Sequence, residues 1–403
     1  MEIRAARESE LEQVVELNCQ AFNPNQHERY WQYLRGDSSY RLAQTRVVVV
    51  NDMVVSTLRV WERRIRIGAS LVTMGGIGGV CTHEKYRGVG YASALMRQTI
   101  DYLKKAGCDI GVLFTIIPES FYHRLGWTSF PLHGFQINCN PATLAVSQSD
   151  LQVHAFNLET DLDTVASIHD LSNATQSGTL SRTRAYWDME PSRIRGILPT
   201  VIAHRNGDLC GYLNYNIHEK SVEVLEVGYK PDTPEVLDTL VSQLGQVCES
   251  EQIEEINGIF SPKHPFVAQL ISRCKGEVTK LTDTSMMLYA VCLPTLLRRL
   301  VVGWEAAIAE AEQSFPSLAV KFPVVNKQQA VLRYDGNATI QIVKDAQDAD
   351  HLEMREDDFW QLLFGEIGWD QIKADVSVSD EVSEFLNVLF PKRDVLFWYP
   401  DRY

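Results

Sequence analysis

Gly79-Val-Cys-Thr-His-Glu-Lys-Tyr-Arg-Gly-Val-Gly-Tyr-Ala-Ser93 is the stretch on which the reading of this chain turns. A strand ends near Thr82, a short polar loop follows, and a helix opens at Gly88 and Gly90. The first N–H groups of a helix have no partner within it, and the positive end of the helix dipole lies behind them. A pyrophosphate suits such a place. Glycine at 88 and 90 lets the backbone approach the phosphates where a Cβ would stand in the way, and Arg87 can add a charge-assisted contact. The turn by itself leaves other readings open, such as a tight turn that needs glycine or a dinucleotide site. The GxGxxG fingerprint is absent, and no GK[ST] follows to make a P-loop.

Working outward, Ala92, Leu95, Met96, Thr99, Ile100 and Leu103 share one face of a helix predicted from about Gly88 to Ala106, ended by Gly107. Upstream, Glu8 to Phe22 reads as an amphipathic helix. Arg46 to Val60 reads as two strands around an Asn51-Asp52 turn, with a third strand over Arg63 to Ile67 and a fourth over Met74 to Thr82. Downstream come a buried strand from Asp109 to Ile117 and a short helix from Glu119 to Leu125. From about Leu151 to Ala290 the order repeats: a helix at Asp161 to Leu171, a hairpin turning at Asn206-Gly207, a strand at Val222 to Tyr229, a helix at Pro234 to Cys248 and a strand at Glu254 to Phe260. This looks like a duplicated unit. A third block opens with a helix at Leu293, then strands at Leu318 to Val325, Ala330 to Tyr334 and Ala338 to Val343, and a helix around Asp357 to Glu366. The chain ends on Phe397, Trp398, Tyr399 and Tyr403, whereas most chain ends are polar and frayed. This end is therefore expected to be docked.

A length of 403 residues predicts several domains. The net charge of −14 argues against nucleic acid. It is compatible with a cationic small substrate, or with a role in solubility alone. No apolar run approaches the ~20 residues of a membrane span, and the charged N-terminus is unlike a signal peptide. A cytoplasmic protein with no membrane partner is expected. The eight cysteines form no CxxC pair and are read as free thiols, and the ten histidines show no HxxxH or HExxH spacing, so no metal site is expected.

Arg87-Gly-Val-Gly-Tyr-Ala92 resembles the (Q/R)xxGx(G/A) signature of the GCN5-related N-acetyltransferase superfamily. Val80-Cys-Thr82 resembles its splayed strand, whose backbone holds the pantetheine arm. Glu119-Ser-Phe-Tyr-His-Arg-Leu-Gly-Trp127 is similar to its FYxxxGF element. The resemblance implies acetyl-CoA as co-substrate, contacted by Val80, Cys81, Thr82, Arg87, Gly88, Val89, Gly90, Tyr91, Ala92 and Ser93, and by Ile116 and Ile117. The whole layout resembles the "enhanced intracellular survival" family. That implies an α/β (α+β) fold of tandem acetyltransferase units with mixed sheets and a sterol-carrier-like α+β domain. The expected boundaries are 1–145 for the catalytic unit, 146–290 for a degenerate second unit and 291–403 for the third domain, whose tail reaches the active site. It also implies a hexamer and acetylation of aminoglycosides and polyamines. The second unit offers Glu226-Val-Gly-Tyr-Lys-Pro-Asp-Thr-Pro234 in place of the signature. It lacks the arginine and the paired glycines, and its prolines remove donors, so no acetyl-CoA is expected there.

In this superfamily a neutral amine attacks the thioester directly. A backbone N–H near Thr82 is the expected oxyanion donor. Tyr122 matches the family's general acid; a phenol of ordinary pKa ~10 stays protonated at neutral pH, although a packed aromatic is the alternative. Tyr403 matches the residue whose terminal carboxylate, of ordinary pKa ~3.5, acts as base, although a tail that merely closes the cavity is the alternative. His83, Glu84 and Glu119 are weaker candidates for the base. Phe22 and Trp31 are expected in the acceptor pocket wall. Acetylation of a protein lysine or N-terminus, lipid binding through the third domain, and thioester hydrolysis are the competing functions.

Overall fold

The spacing of apolar residues makes the first helix: after one 3-10 turn at Glu8–Glu10, α1 (Leu11–Ala21) buries Leu11, Val14, Val15 and Leu17. A second helix, α2 (His27–Arg35), follows. It is short and polar on average, with only Leu34 buried, and the sequence reading contains no helix there. The first strands are β1 (Glu2–Ala5), β2 (Thr45–Val50), β3 (Met53–Ile67), β4 (Ser70–Thr82) and β5 (Ile110–Phe114), with α3 (Tyr91–Lys105) between β4 and β5. The β2–β3 hairpin turns at Asn51 and Asp52, both in the left-handed region with φ of 50° and 59°, as a tight hairpin requires. The break expected before Arg63 is absent. β3 runs through because Arg63 and Arg64 pair with Met74 and Thr73 of β4. The structure is a computed structural model that describes residues 1–145, 150–188, 198–274 and 276–403. The expected junction at 145–146 borders residues outside this set.

Beyond β5 come α4 (Ser120–His123), β6 (Thr128–Ser129), β7 (Leu132–Asn138), β8 (Gln152–Ala155) and β9 (Leu180–Ser181). They are followed by β10 (Val201–Arg205), β11 (Asp208–Ile217), β12 (Ser221–Tyr229), β13 (Glu255–Gly258), β14 (Val278–Asp283) and β15 (Met286–Ala290). The fold is mixed α/β. One sheet runs β1-β2-β3-β4-β5-β15-β6, with β9 also pairing with β3, and a second runs β14-β7-β13-β12-β11-β10-β8. The two sheets trade strands. β7 crosses into the second, and β15 returns to lie antiparallel to β5, with Leu288 opposite Val112. A division at residue 145 thus keeps β7 with the first block in sequence while its hydrogen bonds lie in the second sheet.

Each sheet contains one parallel pair joined by a helix: β4 with β5 across α3, and β12 with β13 across the helix Val236–Glu251. This is the duplicated order seen in the sequence. The last block begins with the helix Leu293–Glu310 and adds β16 (Leu318–Lys321), β17 (Val331–Tyr334), β18 (Ile340–Val343) and β19 (Asp350–His351). β16 ends before the expected Val325 because Pro323 has no N–H for the ladder. One core joins this block to the first sheet: Met74, Ile110, Val112 and Leu288 pack with Leu296, Leu300, Trp304, Phe359 and Phe385. Among the described residues no helix is long and apolar enough to cross a membrane.

Candidate active site

Parallel pairing between β4 and β5 runs from Met74↔Ile110 to Ile77↔Leu113 and stops there. β4 continues beside β3 as far as Ser56↔Thr82, after a bulge in which Gly79 takes φ of +63°. Past Ile77, then, the edge of β4 that faces β5 has no strand partner among the described residues. β5 is drawn the other way: the Thr115 N–H donates to Ser285 O at 2.9 Å. Val80, Cys81 and Thr82 lie on this freed stretch. Cys81 is buried against α1, its thiol pushed up to about 12 by burial, so it offers backbone rather than a thiolate.

The chain after Thr82 makes a 3-10 turn at Glu84–Tyr86 and reaches α3 through Gly88 and Gly90, with φ of +81° and +90°. Arg87 is steered toward the strand end, its Nε donating to Thr82 O at 3.1 Å. Ala94 is the first residue whose N–H closes onto the turn, at Gly90 O. Among the described residues the N–H groups from Gly88 to Ser93 make no backbone bond. A Cβ added at Gly88 or Gly90 meets nothing within 4 Å. An open row of unused donors at a helix start is what a pyrophosphate needs, so these residues fit the CoA phosphates. The corresponding segment of the second unit spends its donors internally: Lys230 N–H on Cys210 O and Thr233 N–H on Lys230 O.

Tyr122 and Tyr403 lie on opposite faces of the first sheet. Side chains alternate along β4: a Cβ on Gly75 would strike Leu103 of α3, and one on Gly76 would strike the Tyr403 ring at 2.3 Å. Tyr122, on α4, packs with Ile77, Leu95 and Leu113 on the α3 side and is only 5% exposed. Burial pushes its phenol up to about 12, so it is a full proton donor at neutral pH. Tyr403 lies on the flat patch left by Gly76 and Gly78. Its ring stacks on Trp61 at 5.2 Å, and its hydroxyl donates to Val112 O at 3.0 Å. Its carboxyl carbon comes within 3.1 Å of where a Gly78 side chain would begin.

The remaining expected residues are less concentrated. Phe22 caps α1 and is exposed, one turn beyond Asn18, whose amide oxygen lies 3.0 Å from a Cβ built on Gly79. Trp31 is half-buried on α2 beneath the Arg35 guanidinium, 3.9 Å away. Ile116 and Ile117 were expected at the end of a buried strand. Instead the strand stops at Phe114, because the Thr115 hydroxyl captures the Ile117 N–H at 3.1 Å. Ile116 is 94% exposed. Both line a groove of about 590 Å³ between residues 115–119 and 282–285. Glu119, on that groove, accepts from the Ser129 hydroxyl at 2.5 Å, and this bond holds its carboxyl below the usual range. Glu84 is exposed, and the His83 ring accepts from the Lys85 N–H at 3.3 Å within the phosphate loop. Trp61, Phe114 and Arg402 carry no local signal in the sequence that marks them as site residues. Trp61 pairs with Gly76 across the β3–β4 ladder. Arg402 covers the Phe114 ring and donates to Asp283 at 2.7 Å.

Two consequences are measurable. Gly90→Glu places a carboxylate against the phosphates at a φ suited to glycine. Acetyl-CoA affinity should collapse, while the fold loses only about 1–2 kcal/mol; an unchanged Kd by calorimetry would remove this loop from the site. Titration of the unaltered chain should show one acetyl-CoA bound, and a stoichiometry of two would show that the 226–234 segment also binds.

The sequence profile of the acetyltransferase (GNAT) domain matches residues 2–130. No curated protein sequence matches the chain. Among solved structures it is similar to a conserved protein of unknown function from Enterococcus faecalis V583, described as a probable N-acyltransferase, with TM-score 0.75, 17% identity and coverage of 98% of this chain and 97% of that one. A GCN5-related N-acetyltransferase from Kribbella flavida gives TM-score 0.71 at 18% identity over 100% and 98% of the two chains. Eis1 from Mycobacterium abscessus gives 0.64 at 12% over 100% of each. At these identities the structures speak for the fold, and the profile match speaks for the chemistry of the first unit. Residues 2–130 are a GNAT acetyltransferase domain, and the protein is an N-acetyltransferase with acetyl-CoA as its co-substrate.

Proposed function

We propose that this enzyme moves acetyl to primary amines of cationic small molecules, with aminoglycosides and polyamines as the acceptor class. The observation that carries the reading is the place of the chain's own end: the Tyr403 carboxyl lies against Gly78, where β4 has parted from β5. A carboxylate in that position attracts a protonated amine and can take its proton. The net charge of −14 favours the same acceptors. The full-length likeness to Eis1 supports a layout of the enhanced intracellular survival type. In that layout residues 1–145 are catalytic, 146–290 form a unit without cofactor, and 291–403 form a sterol-carrier-like domain in a cytoplasmic hexamer. A tail lodged at the acceptor side leaves little of the open groove that a protein lysine would need.

Acetyl-CoA supplies the activated thioester. Arg87 and the N–H groups from Gly88 to Ser93 hold its phosphates, and Val80 to Thr82 offer backbone to the pantetheine arm. A β4 N–H near Thr82 stabilises the developing oxyanion. Tyr122 donates the proton that the departing thiolate needs, and the Tyr403 carboxylate receives the one the amine gives up. Phe22 and Trp31 form the outer wall of the acceptor pocket, with Ile116 and Ile117 beside the cofactor arm.

Tyr122→Phe keeps the ring and its packing. kcat should fall ~100- to 10,000-fold, the usual worth of a general acid, with little change in KM or melting temperature; an unaffected kcat would reduce Tyr122 to a packing residue. Deleting Tyr403, or adding a few residues after it, should abolish turnover and leave acetyl-CoA affinity intact. Full activity in a C-terminally extended enzyme would remove the carboxylate from the mechanism. An acceptor screen read by thiol release should favour aminoglycosides and polyamines over lysine peptides, and the opposite ranking would overturn the acceptor class.

A further inference from the structure

The second unit has a gap of its own. β12 and β13 pair in parallel only from Ser221↔Glu255 to Glu223↔Asn257, while β12 runs on beside β11 to Tyr229. A register shift interrupts β12 before Glu226, much as the bulge at Gly79 interrupts β4 before Cys81. In the second unit this gap is filled by the end of the chain. Residues 395–398 are extended, and their side chains alternate. Val395 and Phe397 join the core shared by the first sheet and the last block, and Leu396 and Trp398 join the core of the second sheet. Trp398 packs on Phe260 just after β13, at 5.3 Å, and its Nε1 donates to Asn173 at 3.0 Å.

Asp401 then meets Glu226. Both carboxylates are fully buried, and Arg182 lies between them. Its Nε and Nη2 donate to Asp401 at 2.9 and 2.8 Å, and its Nη1 and Nη2 donate to Glu226 at 3.0 and 2.5 Å. Tyr212 donates to Glu226 at 2.6 Å and Tyr186 to Asp401 at 2.9 Å. Two forked contacts on one guanidinium fix direction as well as distance.

We infer that the cofactor-free cleft of the second unit is the dock for this chain's own C-terminal tail, with Arg182 and Glu226 as positioning residues that hold Asp401 and thereby set the place of Tyr403. The inference rests on the reading of Tyr403 given above only for its effect on rate; the docking itself stands on the buried contacts. It gives the second unit a task in place of acetyl-CoA binding.

The test separates the two. In the unaltered enzyme Tyr403 should resist carboxypeptidase, and its prompt release would overturn the dock. Asp401→Asn weakens the ion pairs with almost no change of shape. Release of Tyr403 should become many times faster, and kcat of the undigested variant should fall about 100-fold, as when a reacting group is displaced by an ångström, with acetyl-CoA Kd unchanged. Arg182→Lys keeps the charge but not the fork and should loosen the tail as well. Faster release with full kcat would sustain the dock and remove Tyr403 from catalysis. Unchanged release in both variants, or lost activity with the tail still protected, would overturn the positioning role.

Discussion

Neighbouring strands in a sheet pair through their backbones, and the arrangement of this site turns on the place where β4 and β5 part. β4 outlasts β5 beyond Ile77↔Leu113. The stretch from Gly78 to Thr82 stays on β3 along one edge and turns the other away from β5, so it can offer backbone to a ligand. The gap is held open from both sides. The bulge at Gly79 keeps β4 on β3, and β15 draws β5 away through Ser285. Side chains alternate between the two faces of β4. Tyr122 is buried in the cluster on the α3 face, and Tyr403 lies on the other face against Gly76 and Gly78.

Bringing the last residue to that opening is a long-range closure, but its entropy grows only slowly with length. Leu396, Phe397 and Trp398 are each almost wholly buried, and burial of such side chains contributes about 1.5–3 kcal/mol apiece. Apolar burial has no direction, however, and would tolerate a small slide of the tail. The Arg182 fork does not. Removing one partner of such a buried pair costs about 3–5 kcal/mol, so the Arg182 cluster ties Asp401 to one place.

What the sequence disclosed follows the range of the interactions. The Gly88 and Gly90 turn, the amphipathic α3 and the Asn51-Asp52 hairpin rest on neighbours in the chain, and they were readable. The strand exchange of β7 and β15 was not, because its hydrogen bonds join residues far apart along the chain, such as Val112 and Leu288. Ile116 and Ile117 looked like the end of a buried strand because they are apolar, and a local Thr115 turn overrode that pattern. Tyr122 and Tyr403 came from resemblance and from the aromatic ending. Trp61 and Arg182 left no mark, since each acquires meaning only when the tail returns. Glu226 was visible only as part of a missing signature, and its buried partners show what stands there instead.

The tail's last contact explains why glycine occupies two alternate positions on β4. Trp61 is flanked by two partners: the Arg59 guanidinium 4.6 Å from its ring and the Tyr403 ring stacked at 5.2 Å. Arg59 in turn is held by Asp37 at 2.5 Å. Burial works against that carboxylate, yet Arg63 and Arg59 keep its pKa below the ordinary value, so the anchor stays ionised. A side chain at 76 would strike the Tyr403 ring, 2.3 Å from where its Cβ would stand, and one at 78 would meet Trp61 at 2.9 Å and the Tyr403 carboxyl carbon at 3.1 Å. Gly76 and Gly78 therefore act as a mould. They let Tyr403 lie flat on β4, held on one side by its stack on Trp61 and, two residues back, by the Arg182 contacts to Asp401.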